Sequence, residues 1–125
     1  MTGRRRGFTL LELLVVMAII ATLLTIAVPR YFRSLERSKE AVLKQDLASL
    51  RESIDRFYGD TGKYPEQLAA LVEKHYLRGI PVDPIAKTAD KWILVNADDP
   101  EDTGIKDVKS GAEGAGENGI PYAAW

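Results

Sequence analysis

Few side chains in this chain are placed to do chemistry, and the most conspicuous is a carboxylate in an apolar setting. Glu12 lies inside FTLLELLVVMAIIATLLTIAVP, residues 8 to 29, a run that holds no other charge. An acid near the centre of a membrane-crossing helix costs about 2.5–3.5 kcal/mol on insertion scales. A second group of oxygen donors comes late in the sequence. Asp107, Ser110 and Glu113, with backbone carbonyls such as that of Ile105, lie in or just before a glycine-rich stretch. Hard oxygens of this kind could hold calcium, which takes about six to eight of them; a solvated acidic loop is the competing reading. Asp98, Asp99, Glu101 and Asp102 surround Pro100 and precede Gly104, a composition that predicts an exposed turn. His75 is the only histidine, with no second one to share a metal, and reads as a packing residue. There is no Ser-His-Asp set, phosphate loop or zinc spacing. The absence of cysteine removes disulfides, cysteine metal sites and thiol nucleophiles. An enzyme is not expected, and a net charge of -1 gives no general attraction to nucleic acid.

The elements that must position these residues follow from periodicity. Residues 8 to 29 would make a helix of about 33 Å, enough to cross a hydrocarbon core of about 30 Å. Glu12 then lies near one end of the span. Arg4, Arg5 and Arg6 precede the run, and no Lys or Arg follows until Arg30, which places the N-terminal side in the cytoplasm by the positive-inside rule. A removable signal peptide would share the basic block and apolar run. Against it stand the length of the run, its internal acid, and its ending in IAVPRYF with no A-x-A site.

Beyond Pro29 the helical pattern continues. Leu43, Leu47, Leu50, Ile54 and Phe57 recur at spacings of four and three, on one helical face. Lys39, Lys44, Asp46, Arg51, Glu52, Asp55 and Arg56 fill much of the remainder. The pattern predicts one helix over residues 8 to 58, bent at Pro29, and ended by GDTGKYP with Gly59, Gly62 and Pro65. PEQLAALVEKHYL predicts a short helix with Leu68, Leu71 and Val72 inward. Pro81, Asp83 and Pro84 make a turn-rich loop. KWILV, residues 91 to 95, predicts a strand that pairs as a hairpin with IKDVKS, residues 105 to 110. The last stretch, GAEGAGENGIPYAAW, is expected to be an ordered loop anchored by Tyr122 and Trp125. Residues 59 to 125 are too few for a large core. They need the second half of the long helix as a wall, and gain from oligomerisation or a bound metal.

These residues carry a family resemblance. GFTLLELLVVMAIIATLLTIAVP, behind its basic leader, resembles the type III signal sequence of type IV pilins and type II secretion pseudopilins. The Gly-Phe junction, the Thr-Leu pair, the acid and the proline all stand in register. YGDTGKYPEQLAALVEKHYLRGIPVDP and DTGIKDVKSGAEGAGENGIPYAAW are similar, more loosely, to major pseudopilins of type II secretion. The resemblance implies an α+β, type IV pilin-like fold: a leader at residues 1–7, a transmembrane and filament-core helix at 8–29, its amphipathic continuation at 30–58, and a small periplasmic domain at 59–125 with a short antiparallel sheet. It implies that a prepilin peptidase cuts after Gly7 and methylates the new amino terminus at Phe8. Glu12 of one subunit would then pair with the Phe8 amine of the next. A calcium-bound loop is implied for the Asp107, Ser110, Glu113 and Ile105 region, although Glu113 stands where an Asp is expected.

The implied role is structural: a single-pass inner-membrane protein, C-terminal domain in the periplasm, that leaves the bilayer to form a periplasmic homopolymer. Its partners would be other copies of itself, the peptidase, minor pseudopilins, an inner-membrane assembly platform and membrane lipid. Two alternatives remain open at this point. One is a type IV pilin of a surface fibre for adhesion, motility or electron transfer. The other is a monomeric membrane-anchored binding domain, in which Glu12→Ala would leave function unharmed.

Overall fold

A computed structural model describes Gly3 and residues 6–125. Met1, Thr2, Arg4 and Arg5 of the expected leader lie outside the described residues. The architecture is α+β: α1 (Leu10–Thr61), α2 (Leu68–Glu73), β1 (Ile93–Asn96), β2 (Ile105–Lys109) and a closing 3-10 turn (Tyr122–Ala124). Contacts divide the chain into one unit ending at Glu36 and a second running from Arg37 to Trp125.

Helix α1 has 52 residues and continues through Pro29. It begins two residues later than the pattern predicts, because the Thr9 hydroxyl accepts a hydrogen bond from the Glu12 amide at 3.1 Å and so caps the first turn. It also ends three residues later than expected. Gly59 stays helical, and the left-handed residue that stops the helix is Gly62, with φ of 76°. The Thr61 hydroxyl, at 2.7 Å from the Phe57 carbonyl and 3.0 Å from that of Lys63, secures this last turn.

In the second unit the predicted apolar face of α1 is the floor of the core. Leu43, Leu47, Leu50 and Ile54 are buried together with Leu68, Leu71, Trp92, Ile105, Val108, Ala112 and Tyr122. Phe57 is only partly buried and meets Tyr76 edge-to-face, with ring centroids 5.5 Å apart. Helix α2 is shorter than the thirteen-residue pattern suggested, because His75 adopts φ of 64° and turns the chain. The His75 amide donates to the Val72 carbonyl and the Tyr76 amide to that of Leu71, a paired closure that satisfies the last carbonyls of α2. The lone histidine thus serves as a helix stop, and its side chain is exposed.

The predicted hairpin forms. β1 and β2 pair antiparallel from Ile93 opposite Lys109 to Asn96 opposite Ile105, with a bulge between Val95 and Asn96. β1 starts at Ile93 because Trp92 is drawn inward, where its indole N–H donates to the Pro81 carbonyl at 2.8 Å. The acidic turn behaves as expected, with Asp98 on Lys106 and Asp99 capping the Glu101 amide. Asp102 does more: its carboxylate accepts from the Tyr64 amide at 2.9 Å and from the Gly104 amide at 3.1 Å, tying the hairpin to the turn after α1.

Two positions in this core make measurable demands. A Cβ on Gly111 would lie 1.7 Å from the Lys91 carbonyl oxygen, a backbone atom that cannot swing away. Gly111→Ala is therefore expected to lower stability by about 1–3 kcal/mol or more, read as the midpoint of chemical denaturation. Asp46 lies half-buried on α1, where burial raises its carboxyl above the ordinary range and the neighbouring Asp83 carboxylate raises it further. A raised acid is held more tightly as the proton-bound form in the folded chain, so ionised Asp46 costs stability. That cost is present above the folded pKa and vanishes below the unfolded value of about 3.9. Asp46→Asn should raise the thermal midpoint at pH 7 and lose that advantage at pH 3; a midpoint unchanged at pH 7 would contradict the reading.

Candidate functional site

The first unit presents a helix with no core of its own. Its large apolar side chains from Phe8 to Val28 are exposed by between 44% (Val28) and 85% (Phe8). The most apolar 18-residue window of α1 has a mean hydropathy of 2.6, and none of it is buried. A helix apolar on every side is at rest only in lipid or among other apolar helices. Its hydroxyls do not oppose this. Thr22 and Thr25 each donate at 2.8 Å to a carbonyl one turn back, on Ala18 and Ala21. A polar group bonded within its own helix is far cheaper to desolvate than an unpaired one.

The residues expected to do chemistry lie at the start of this helix. Gly7 and Phe8 are non-helical and exposed. Only Thr9 separates Phe8 from the first helical residue, Leu10. Glu12 lies in the first turn, as an exposed acid among apolar neighbours. An acid there is favoured by the helix dipole, by about 0.3–1 kcal/mol at an exposed site. No intrachain cation answers it among the described residues, whose ion pairs all lie from Arg37 onward.

Two of the four expected metal donors, Asp107 and Ser110, are committed to other groups. Asp107 Oδ1 accepts from Arg51 Nε at 2.9 Å and from the Val108 amide at 2.8 Å. The Ser110 hydroxyl is buried, donates to Asp83 Oδ2 at 2.5 Å, and accepts from the Ala112 amide at 3.1 Å. Ile105 is buried in the core and Glu113 is exposed. Among the described residues no three His, Asp or Glu side chains gather as a metal cluster. The donor set as arranged does not fit a calcium ion, because its acid and hydroxyl would each have to abandon a protein partner.

The final loop is anchored by Tyr122 in the core and by Trp125 against it, as expected, but sequence reasoning missed the polar contacts that hold it. Glu40 Oε1 accepts from the Tyr122 hydroxyl at 2.9 Å and from the Glu117 amide at 3.1 Å. Arg37 pairs with the Glu117 carboxylate at 3.1 Å. Lys44 stands 5.1 Å from the centroid of the Trp125 ring. Arg51, besides Asp107, donates through Nη2 to the main-chain oxygens of Val108 at 3.0 Å and Trp125 at 2.7 Å. Arg37, Glu40, Lys44, Leu47 and Arg51 recur at spacings of three and four, so the signal was a helical face beside the leucine face. Asp83 was also missed. It is fully buried, and its Oδ1 accepts from the Ile85 and Ala86 amides.

Comparison with known proteins agrees with this division of the chain. Residues 2–28 match the family model of the prokaryotic N-terminal methylation motif. The chain is 30% identical over 125 residues to type II secretion system core protein G of Escherichia coli (strain K12), covering 87% of this chain and 82% of that protein. The protein of the same name in Dickeya chrysanthemi is 32% identical over 100 residues, 67% of this chain and 65% of the relative. The chain thus spans just under two thirds of the Dickeya relative's length. The type IV major pilin protein PilA of Myxococcus xanthus is 38% identical, but over 63 residues that make up 29% of it. No solved structure matches significantly. The relative in Escherichia coli is matched over most of both chains, and the chain belongs to the family of type II secretion system core protein G.

Proposed function

We propose that this chain is the repeating subunit of a periplasmic pseudopilus of a type II protein secretion system. The observation that carries the reading is an apolar helix, exposed on every side, whose first turn holds Glu12 four residues beyond Phe8. Before assembly the helix lies in the inner membrane, with the arginine block in the cytoplasm and the unit from Arg37 onward in the periplasm. A prepilin peptidase cuts after Gly7, removes the arginines and methylates the Phe8 amine. Phe8 then carries a positive charge in apolar surroundings, and Glu12 of a neighbouring copy neutralises it. Apolar helices bundle in the filament interior as each subunit leaves the bilayer. Minor pseudopilins and an inner-membrane assembly platform start and drive this growth. The growing filament helps to move folded exoproteins through an outer-membrane channel, and the chain itself does no catalysis. The likeness to a type IV pilin supports a surface fibre less broadly, since it spans half of this chain and 29% of that protein.

The test combines processing with assembly in cells that carry the secretion system. Mass spectrometry of the chain from its native membrane should find a mature form that starts at Phe8 with one added methyl group. Glu12→Ala should be processed and inserted yet lose filament yield by tenfold or more, with Glu12→Asp in between. The filament should be found in the periplasm and not in the sheared surface fraction. Wild-type yield from Glu12→Ala would sink the assembly reading and leave the monomeric anchored domain; fibres on the surface would replace the pseudopilus with a pilus.

A further inference from the structure

Arg51 collects the kind of ligands that a structural calcium ion would collect. One guanidinium binds a carboxylate oxygen of Asp107 at 2.9 Å, the carbonyl of Val108 at 3.0 Å and the main-chain oxygen of Trp125 at 2.7 Å. These three oxygens come from β2 and from the far end of the final loop, so a single cation joins both to α1. Its planar fork is suited to this, since it presents several donors in fixed directions and remains charged at any relevant pH. The rest of the loop is fastened to the same helix face by Glu40, which takes the Tyr122 hydroxyl and the Glu117 amide, and by Arg37 on the Glu117 carboxylate. Trp125 closes the loop on itself, donating from its indole N–H to the Ile120 carbonyl at 3.1 Å and meeting the Tyr122 ring at 5.0 Å. Gly116 lets the Trp125 ring lie against the backbone, for a Cβ there would stand 2.3 Å from it.

We infer that in this chain the guanidinium of Arg51 takes the structural place of a calcium ion, so that the final loop is ordered without metal. The two cations compete. Calcium drawing Asp107 Oδ1 away would leave Arg51 with main-chain oxygens in place of its carboxylate, and would set a divalent charge beside a part-buried guanidinium, while Ser110 stays engaged by Asp83. The inference concerns how the loop is held and is independent of whether the chain forms filaments.

The experiment uses the full chain in detergent micelles, with calcium chloride in one arm and EGTA in the other. Thermal midpoint and the near-ultraviolet circular dichroism of the tryptophans are the readouts. The wild type should show the same midpoint and the same tryptophan signal in both arms. Arg51→Ala should fall by roughly 5–10 °C with EGTA present, the size expected for losing charged hydrogen bonds in a small domain. Arg51→Lys should recover only part of that, because an ammonium cannot fork. A gain from calcium confined to Arg51→Ala supports the inference, since the freed oxygens then accept the metal. If Arg51→Ala does not fold, Glu40→Ala, which releases Tyr122 and Glu117, should be destabilised equally in both arms. A wild-type midpoint higher in calcium than in EGTA by more than about 2 °C, or an Arg51→Ala chain as stable as wild type without calcium, overturns it.

Discussion

The wall formed by Leu43, Leu47, Leu50 and Ile54 is the constraint from which the rest of the second unit follows. After α1 the chain offers one helix of six residues and two strands of four and five, too little to enclose a core alone. Each of those four side chains is at most 2% exposed, and burying one fully is worth about 1.5–3 kcal/mol. Once that face turns inward, the helix has no rotational freedom left. The residues one step round the cylinder are then fixed as well. Arg37, Glu40, Lys44 and Arg51 come to stand along the core's edge, within reach of the segment from Glu117 to Trp125. The apolar face sets the register, and the charged face uses it to fasten a loop whose Tyr122 joins the core.

The same helix meets a different requirement before Glu36. There every large apolar side chain among the described residues is exposed. The hydroxyls of Thr22 and Thr25 are satisfied by carbonyls of their own helix, so that segment asks nothing polar of its surroundings. Pro29 has no amide hydrogen to give the carbonyl four residues before it. A globular protein would not retain such a surface, whereas a lipid bilayer and a bundle of identical helices both cover it at little cost. The two halves of α1 are therefore written for different solvents, and the proposed membrane-to-filament transfer would move the first half between two media of nearly the same polarity.

Much of this was legible in the sequence because it is periodic. The apolar run, the leucine face, the hairpin and the helix-ending turn all came from spacings that have one physical solution. The helix boundaries were less so: Gly59 and Gly62 are equal on paper, and only the bonds that Thr61 makes to Phe57 and Lys63 decide that Gly62 takes the left-handed turn. His75 gave no sign that it would end α2, since a left-handed histidine is costly and persists only because Leu71 and Leu77 beside it are drawn inward. The polar ties of the final loop were not legible. Asp107 and Ser110 suggested metal because the sequence shows donors without showing what already binds them. Arg51 and Asp83 lie 56 and 27 residues away, beyond any local pattern. Arg51 was visible only as one of the charges beside the leucine face, and Glu40 was not singled out.

Glu12 is the remaining conflict with local rules, and in the proposed filament its energetics favour order over affinity. A carboxylate about 4 Å from an ammonium group gains about 4 kcal/mol at an effective dielectric of 20. Removing both ions from water costs several kcal/mol apiece, so the pair adds little beyond what an apolar contact would give. The unpaired state carries the weight. A subunit docked one helical turn out of step has the same apolar contacts to within a small difference, because leucine, isoleucine and valine packed on one another hardly distinguish one register from the next. It also has a carboxylate and an amine stranded in hydrocarbon. That penalty falls on every wrong stagger and on no correct one. A greasy rod that would otherwise slide against its neighbours is thereby given a single step, set by the four-residue offset from Phe8 to Glu12.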